Sequence, residues 1–524
     1  MPYAPKPAPA PCKSAREPPL KRPLRNPPIG QTIGMNLTNP FLDADGDKLR
    51  EECGVFGVIG APEAAPVVAL GLHALQHRGQ EAAGMVSFDG KEFFTRRGLG
   101  HVVANFSSAE AMAELPGAMA AGHVRYSTTG GSGLRNVQPL YADLAAGGFA
   151  IAHNGNISNA AALRRDLVAK GSIFQSTSDT EVIIHLVATS RYPTVLDKFV
   201  DALRMVEGAY SLICMTPEGM IACRDPLGIR PLVMGKLGDA VVFASETVAL
   251  DVVGAEFMRQ VEPGELIQVS HDGSIKQHRP FGNHPSRPCI FEHVYFSRPD
   301  SVFDDLSVYA VRKQIGAELA SESPCEADYV VPVPDSGVPA AIGYAQRSGI
   351  PFELAITRSH YVGRTFIQPS DGARHADVKR KHNANRMLVE GKRIVLIDDS
   401  IVRGTTSLKI VQMMRDAGAK EVHMRIASPP TSHSCFYGVD TPERSKLLAA
   451  RMEVKAMAEF IHADSLAFVS IDGLYRAVGV KGRNADCPQY CDACFTGDYP
   501  TPLTDLTERE GKTAQLTLPV GKVA

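Results

Sequence analysis

The sequence predicts a chain of mixed α/β and α+β class, in which an α+β layered domain precedes a doubly wound α/β domain. Its 524 residues are enough for two to four domains of about 150 residues each. From residue 53 to about residue 269, short apolar runs alternate with helical patterns. A proline-punctuated stretch at residues 284–299 ends that pattern, and a strand–helix–strand pattern follows. These observations exclude a single small module.

Charge and hydropathy narrow the class of protein. The 55 Lys and Arg residues nearly cancel the 57 Asp and Glu residues, so the overall charge gives no drive toward nucleic acid or an anionic membrane. No run approaches the roughly 18 apolar residues of a membrane span, and the N-terminus lacks the apolar region of a secretory signal. We therefore expect a cytoplasmic protein without nucleic-acid or membrane partners.

Composition and pattern together divide the chain into four segments. Residues 1–34 hold ten prolines, six Lys or Arg residues and one Glu, a composition that predicts a disordered tail. The predicted segments are a disordered tail and leader at 1–52, a first domain at 53–285, a second domain at 286–480 and a C-terminal tail at 481–524.

The predicted elements follow from local patterns. In the first domain, strands are predicted at residues 54–59, 118–125, 148–153, 210–215 and 240–244, with a helix from near Pro66, since proline is favoured in a first helical turn. In the second domain, strands are predicted at 329–334, 393–397 and 422–427, with helices from Val338 and Gly404. The run RIVLI at residues 393–397 is almost wholly apolar, which is typical of a parallel strand buried on both faces.

The segment RIVLIDDSIVRGTTS, residues 393–407, carries the most specific chemistry of the second domain. A buried strand ends in two carboxylates that suit ribose hydroxyls or Mg²⁺, and a small-residue loop then opens a helix whose first N–H groups can bind a phosphate. The candidate residues are Asp398, Asp399, Gly404, Thr405, Thr406 and Ser407. The alternative is a polar strand-to-helix turn in which an aspartate caps the helix. The presence of two carboxylates and three hydroxyls makes that the minority interpretation.

This segment resembles the phosphoribosyl pyrophosphate (PRPP) signature of the type I phosphoribosyltransferases. The resemblance implies that PDSG at residues 334–337 is the pyrophosphate loop, with Asp335 binding substrate. It also implies Mg²⁺ bound by Ser336, Asp398 and Asp399. A basic loop over PRPP is expected at residues 361–369, with Arg374, Lys379, Arg380 and Lys381, although a solvated charged loop is an equal alternative without the resemblance.

Cys53 is the candidate nucleophile of the first domain, because four polar motifs accompany it. These are LQHRGQEAAG at residues 75–84, GHVRYSTTG at 122–130, AHNGNISN at 152–159 and STSDTE at 176–181, each at an expected strand end or loop. Over residues 53–270 the set resembles the N-terminal-nucleophile glutamine amidotransferases, which implies an αββα sandwich. The implied roles are Cys53 as nucleophile with its own α-amine as base, Arg125 for the α-carboxylate, Asp179 for the α-ammonium, Asn154 and Gly155 for the oxyanion, and Arg78 and Thr128 in support.

The two domains in this order resemble the family of glutamine amidotransferases that act on PRPP, across roughly residues 36–500. The resemblance implies glutamine hydrolysis at Cys53 and transfer of channelled ammonia to C1 of PRPP, giving 5-phosphoribosylamine, pyrophosphate and glutamate. Tyr295 matches a family tyrosine between the two sites. A homotetramer inhibited by purine nucleotides is the expected assembly. The alternatives are a hexosamine-phosphate synthase, which does not need residues 393–407, and a nucleotide-binding regulator with a cluster.

The ten cysteines contain one close pair, Cys491 and Cys494. By spacing alone, zinc, an iron–sulfur cluster and an unligated turn all remain open for that pair. The iron–sulfur branch of the family implies a [4Fe-4S] cluster held by Cys289, Cys435, Cys491 and Cys494. Cys487 is the rival ligand and is taken as a spare thiol. Cys214, Cys223 and Cys325 are expected to be buried apolar residues.

The implied mechanism requires that Cys53 be the N-terminal residue of the mature chain. A base at the α-amine of Cys53 requires cleavage of the Glu52–Cys53 bond, so the residues before Cys53 are expected to be removed. Met35 begins a segment that leaves an 18-residue propeptide, and we expect translation to begin there rather than at Met1.

Overall fold

The computed structural model describes residues 53–126, 133–358 and 382–506 of the chain. Three sheets of four or more strands organise these residues. Two are antiparallel and belong to the first half of the chain, and the third is parallel and belongs to the second half. No helix among the described residues is long and apolar enough to cross a membrane.

Thirteen strands form the two antiparallel sheets of the first half. They are β1 (Gly54–Ile59), β2 (Ala82–Phe88), β3 (Phe93–Leu99), β4 (Met119–Arg125), β5 (Leu140–Leu144), β6 (Gly147–Ile157), β7 (Gly208–Thr216), β8 (Gly219–Arg224), β9 (Val233–Leu237), β10 (Ala240–Ala244), β11 (Glu256–Gln260), β12 (Leu266–Ser270) and β13 (Ile275–His278). One sheet has the order β11-β9-β10-β1-β4-β2-β3, and the other has the order β13-β12-β8-β7-β6-β5.

Helices cover the outer faces of these two sheets and give the predicted αββα sandwich. They are α1 (Ala64–Ala74), α2 (Val102–Phe106), α3 (Ala109–Ala113), α4 (Ala160–Ala169), α5 (Thr180–Thr189), α6 (Val195–Arg204) and α7 (Thr247–Val253). Strand β1 shows why the run is apolar throughout. Its Val55 packs between the sheets, whereas Phe56 packs under α1, because successive strand side chains point to opposite faces.

The second half contains a parallel sheet of order β16-β19-β20-β21 and two short two-stranded antiparallel sheets, β14-β15 and β17-β18. Its strands are β14 (Val302–Phe303), β15 (Leu306–Ser307), β16 (Tyr329–Pro332), β17 (Ile356–Arg358), β18 (His382–Ala384), β19 (Arg393–Asp398), β20 (Glu421–Ile426) and β21 (Ser465–Phe468). Its helices are α8 (Val308–Glu322), α9 (Val338–Ser348), α10 (Arg386–Val389), α11 (Thr405–Asp416), α12 (Leu448–Arg451), α13 (Val454–Phe460), α14 (Ile471–Ala477) and α15 (Ala493–Thr496).

Both faces of this parallel sheet are covered, as the apolar run at residues 393–397 predicts. Val395 and Ile397 pack on the side of α8, α9 and α14, whereas Ile394 and Leu396 pack on the side of α11 and α13. The doubly wound α/β class of the second half is therefore confirmed. The predicted boundaries of the four segments stay a prediction.

The predicted strands at 54–59 and 240–244 coincide with β1 and β10, but the strand predicted at 148–153 was too short. Strand β6 continues through Asn154 and Gly155 to Ile157, paired throughout with β7. The predicted strand ended at His153, yet Gly155 keeps its place in the ladder with a φ of 145°. The polar motif at residues 152–159 is therefore largely part of a strand and not of a loop.

Candidate functional site

Cys53 lies immediately before β1, at the edge of the seven-stranded sheet where that strand begins. Gly54 pairs with Val124 of β4, so Cys53 and Arg125 come next to each other at the same edge. The buried thiol donates a hydrogen bond to the backbone carbonyl of Tyr126, at 3.6 Å. Burial raises the pKa of the Cys53 thiol to about 11, although the Arg125 guanidinium partly opposes that rise. The thiol is therefore neutral near pH 7 and needs a base to become a nucleophile.

Ser245 joins the start of β1 to Asn154 on the second sheet. Its hydroxyl oxygen accepts hydrogen bonds from the backbone N–H of Val55, at 3.0 Å, and from the side-chain amide of Asn154, at 3.3 Å. Next to Asn154, Gly155 has no room for a side chain, because a Cβ there would come within 2.1 Å of the Ala209 carbonyl oxygen. The candidate oxyanion donors thus lie on a strand that is tied to the strand carrying Cys53.

Two opposite charges lie near the Cys53 thiol. Arg125 is buried at the end of β4, and Asp179 is the N-cap residue immediately before helix α5. The Asp179 carboxylate accepts hydrogen bonds from the backbone N–H groups of Thr180, at 2.9 Å, and Ile157, at 3.0 Å. Both charges act on the pKa of the thiol, Arg125 lowering it and Asp179 raising it. One cation and one anion beside a thiol suit the carboxylate and ammonium of an amino acid. Thr128 lies outside the described residues.

Arg78 connects Cys53 to a buried ionic network. Its Nε donates to the Cys53 carbonyl at 3.4 Å, and its terminal nitrogens donate to Glu246 at 2.6 Å and to Glu292 at 3.1 and 2.8 Å. Arg230 donates to the same Glu292 carboxylate at 2.5 Å. Burial opposes ionisation of Glu292, but the two guanidinium groups outweigh it and lower its pKa to about 2. Charges of both signs therefore stabilise one another in the interior.

Sequence reasoning expected Arg78 in a supporting role but missed Glu246, Glu292 and Arg230. The available signal was Glu292, next to His293 within the otherwise apolar run at residues 290–296, since a buried charge needs a partner. Glu292 opens a π-helical turn, Glu292–Phe296, that also carries Tyr295. Tyr295 packs against the core formed with the second half of the chain. The turn therefore touches both halves, while the predicted place of Tyr295 between two sites stays a prediction.

The parallel sheet brings two polar loops of the second half together. Strands β16 and β19 are neighbours, with Pro332 opposite Ile397, so the loops that follow them open at the same edge. Asp398 and Asp399 are buried there. An Asp398 carboxylate oxygen accepts from the backbone N–H of Asp399 at 3.0 Å, and an Asp399 oxygen accepts from the Ser400 hydroxyl at 2.6 Å.

Helix α11 begins beside these aspartates. Gly404 precedes its first turn at a φ of 82°, and it offers no side chain that could occupy the first N–H groups of the helix. Thr405 and Thr406 are partly exposed, whereas Ser407 is buried. In the neighbouring loop, Asp335 is exposed and pairs with Arg358 at 2.5 Å. The expected basic loop, including Arg374 and Lys379 to Lys381, lies outside the described residues.

The donor set fits a Mg²⁺ ion that is bound jointly by one or two protein carboxylates and by substrate phosphates. Asp398 and Asp399 supply hard carboxylate oxygens, and Ser336 lies in the neighbouring loop after β16. Among the described residues, no group of three or more His, Cys, Asp or Glu side chains converges as an all-protein metal cage. Mg²⁺ bound by one or two carboxylates, water and phosphate oxygens does not need such a cage.

Four cysteines line one small cavity where the C-terminal segment meets the rest of the chain: Cys289, Cys435, Cys491 and Cys494. Backbone hydrogen bonds hold two of them side by side, from Ile290 N–H to the Cys491 carbonyl at 3.1 Å and from Cys491 N–H to the Pro288 carbonyl at 2.9 Å. Cys487 does not line this cavity. Burial raises the pKa of the Cys289 thiol to about 12, so without a metal that thiol is neutral.

These four thiols can be tested against the donor set of an iron–sulfur cluster. Four thiolates around a shared cavity are the donors that a [4Fe-4S] cluster takes.

The other cysteines divide into buried and partly exposed. Cys214 and Cys223 are buried in strands, as expected. Cys325 is only partly buried, which differs from the expectation, because in the loop after α8 it packs against the core on one side and lines a surface pocket on the other.

Two parts of the sequence match known domain families. Residues 123–252 match the glutamine amidotransferase domain, and residues 307–428 match the phosphoribosyl transferase domain. The chain is 59% identical to the amidophosphoribosyltransferase of Rhizobium etli over 466 residues, which cover 88% of this chain and 94% of that protein. It is 49% identical to the amidophosphoribosyltransferase of Bacillus subtilis over 456 residues, or 87% of this chain and 95% of that protein.

The fold has a similar solved counterpart. The structure of glutamine PRPP amidotransferase from B. subtilis, complexed with ADP and GMP, matches with a TM-score of 0.81 and 48% sequence identity. The match covers 86% of this chain and 98% of that chain. The likeness therefore includes both antiparallel sheets and the parallel sheet.

Proposed function

We propose how the residues described above carry out the reaction of the amidophosphoribosyltransferase family, to which this chain belongs. The chain is a glutamine-dependent phosphoribosyltransferase of purine biosynthesis. It transfers the amide nitrogen of glutamine to C1 of PRPP and gives 5-phosphoribosylamine, pyrophosphate and glutamate. The observation that supports the residue roles is the buried Cys53 thiol, on which Arg125 and Asp179 both act.

Cys53 attacks the side-chain amide of glutamine, and its own α-amine takes the thiol proton. Burial raises the pKa of the thiol to about 11, so a nearby base is required at neutral pH. An α-amine has a pKa of about 7.7 to 8.0 and is available as a base near neutrality. This role requires removal of the residues before Cys53, by cleavage of the Glu52–Cys53 bond.

The neighbours of Cys53 bind and stabilise the reacting glutamine. Arg125 pairs with its α-carboxylate, and Asp179 pairs with its α-ammonium. Asn154 and the backbone N–H of Gly155 donate hydrogen bonds to the tetrahedral oxyanion, and one fixed donor of this kind contributes about 3 kcal/mol to the transition state. Arg78 holds the Cys53 carbonyl, and Thr128 supports the site.

PRPP binds at the edge formed by β16 and β19. The 5-phosphate accepts hydrogen bonds from the N-terminus of α11 at residues 404–407, where unpaired N–H groups and the helix dipole favour an anion. Asp398 and Asp399 bind the ribose hydroxyls or Mg²⁺, and Asp335 and Ser336 contact the pyrophosphate and its metal. Mg²⁺ would neutralise the charge of the leaving pyrophosphate. Ammonia reaches C1 of PRPP by an internal path past Tyr295. Enclosure in this path keeps the ammonia away from water, which would protonate it.

We also propose the cofactor, the assembly and the location. Cys289, Cys435, Cys491 and Cys494 hold a [4Fe-4S] cluster that fixes the C-terminal segment. The solved B. subtilis relative is complexed with ADP and GMP, which supports purine nucleotides as feedback inhibitors of this enzyme. The enzyme assembles as a homotetramer and is located in the cytoplasm. A relative in Arabidopsis thaliana carries a chloroplastic name.

N-terminal sequencing of the active enzyme tests the catalytic proposal. We expect the sequence Cys-Gly-Val-Phe, beginning at Cys53, and a Cys53→Ala precursor that keeps its leader and shows whether Met1 or Met35 begins it. Active enzyme that begins at either methionine would contradict the α-amine as base. Alkylation by a diazo-ketone analogue of glutamine should label Cys53 alone, and Arg125→Ala or Asp179→Asn should slow that labelling.

A further inference from the structure

A turn from the cysteine cavity touches the strand of the oxyanion donors. Gly438 has a φ of 113°, and a Cβ built on it would lie 2.9 Å from the carbonyl carbon of Gly155 and 3.0 Å from its Cα. The side-chain amide of Asn156 also donates to the Phe436 carbonyl at 2.9 Å. Residues 435–438, named here the cysteine turn, therefore lie directly against the end of β6.

The cysteine turn is itself held in place. The Cys435 N–H donates to the Thr441 hydroxyl at 2.7 Å, and the Tyr437 N–H donates to the Cys435 sulfur at 3.3 Å. The Tyr437 hydroxyl accepts from the Thr501 N–H at 3.1 Å, which ties the turn to the C-terminal segment. Cys435 lines the four-cysteine cavity at the same time. The turn is thus fixed by contacts that lie outside the first half of the chain.

Gly155 is confined from two directions. On the sheet side, the Ala209 carbonyl leaves no room for a Cβ on Gly155. On the other side, the cysteine turn packs so closely that a Cβ on Gly438 would clash with Gly155. A methyl group on residue 438 must therefore shift either the turn or Gly155, because its carbon would lie 2.9 Å from the Gly155 carbonyl carbon. Donors to an oxyanion are effective only at hydrogen-bonding distance from the developing charge, so such a shift weakens catalysis.

We propose that Gly438 is a positioning residue for glutamine hydrolysis: without a side chain there, the cysteine turn packs against the Cα and carbonyl of Gly155 and so keeps the Gly155 N–H in the geometry that receives the oxyanion. The inference rests on the proposed roles of Cys53 and Gly155. It means that the turn bearing Cys435, which comes from the second half of the chain, completes the glutamine site. Displacing this turn should impair glutamine hydrolysis and leave the chemistry at PRPP unaffected.

The test is Gly438→Ala in the full-length, processed enzyme. We expect kcat for glutamine to fall about 10- to 100-fold. This loss is smaller than the roughly 10²- to 10³-fold loss on removing an oxyanion donor, because the donor is displaced and not removed. KM for glutamine, ammonia-dependent turnover, iron content and the rate of Cys53 alkylation by iodoacetamide should stay within about twofold. Gly171→Ala is the matched control, because Gly171 has a φ of 97° with nothing within 4 Å of the added Cβ.

Either of two results with Gly438→Ala would overturn the inference: an unchanged kcat for glutamine, or an equal loss with ammonia and glutamine. If Gly438→Ala does not yield folded enzyme, Asn156→Ala carries the test, with an expected three- to tenfold fall in kcat for glutamine and the same unchanged readouts. Glutamine-dependent turnover by Cys53→Ala would instead contradict the proposed function itself, so the two failures are distinguishable.

Discussion

Arg78 and Glu292 form a buried two-point ion pair, with nitrogen–oxygen distances of 2.8 and 3.1 Å, and the third nitrogen of Arg78 lies 3.4 Å from the Cys53 carbonyl. The guanidinium therefore connects the nucleophile to the π-helical turn that joins the two halves of the chain. Paired donors in a fixed fork hold geometry better than a single contact does. The position of Cys53 thus depends on a carboxylate more than 200 residues away.

Glu292→Gln should impair glutamine use more than ammonia use. The amide keeps the shape of the side chain but removes the negative charge that both Arg78 and Arg230 face. Breaking a buried ion pair costs about 3 to 5 kcal/mol, so the thermal midpoint should fall clearly. We expect glutamine-dependent turnover to fall at least about tenfold. Glu326→Gln is the control, because Glu326 is 94% exposed in its pair with Arg393 and should change neither property.

Asp398→Asn and Asp399→Asn should each weaken the use of PRPP with either nitrogen donor. Both carboxylates are buried at the carboxyl end of β19, where they face sugar hydroxyls or Mg²⁺ in the proposed site. Steady-state kinetics should show at least about a tenfold loss in kcat/KM for PRPP. Asp300→Asn, in an exposed pair with Arg298, should have no effect. A loss confined to glutamine would rule out both aspartates as PRPP or metal ligands.

The purified enzyme should be brown and should contain about four irons per chain, as expected for a thiolate-bound [4Fe-4S] cluster. Cys491→Ser should lose iron and folded stability, because its thiol lines the cavity as one of the four proposed ligands of the cluster that fixes the C-terminal segment. Cys487→Ser should retain the iron, since Cys487 does not line the cavity. Colourless protein with stoichiometric zinc would exclude the cluster.

His123 should make stability depend on pH below neutrality. Burial, aided by Arg125, lowers the pKa of its imidazole to about 3, so the folded protein holds it neutral. The unfolded chain takes up a proton near pH 6.5, and stability is therefore lost as pH falls from about 6.5 toward 3. Between pH 7 and pH 5 the thermal midpoint of the wild type should fall further than that of His123→Gln. Equal falls would contradict this role, and the exposed His271→Gln should behave like the wild type.

Local patterns predicted those parts of the fold that local physics decides. The apolar runs at residues 54–59 and 393–397 correspond to β1 and to the first five residues of β19, because both strands are buried on both faces. The two aspartates and the small-residue loop after β19 likewise follow directly from their strand. These features need no knowledge of a distant partner.

Contacts between remote segments were not predictable in the same way. Ser245 bonding to both Val55 and Asn154, and Gly438 lying against Gly155, each require two sheets or two halves of the chain to be placed first. Strand β6 was predicted too short, because its last residues, Asn154 to Ile157, are held in the strand by pairing with the distant β7. The candidate residues were therefore visible in the sequence, whereas their supporting partners were not.

Pyrophosphate release from PRPP by wild type and Cys53→Ala, with glutamine and with ammonia, tests the two-site mechanism. Cys53 supplies the nucleophile for glutamine only, so the variant should lose glutamine-dependent release and keep ammonia-dependent release near the wild-type rate. Equal loss with both donors, or retained release with glutamine, would contradict the mechanism.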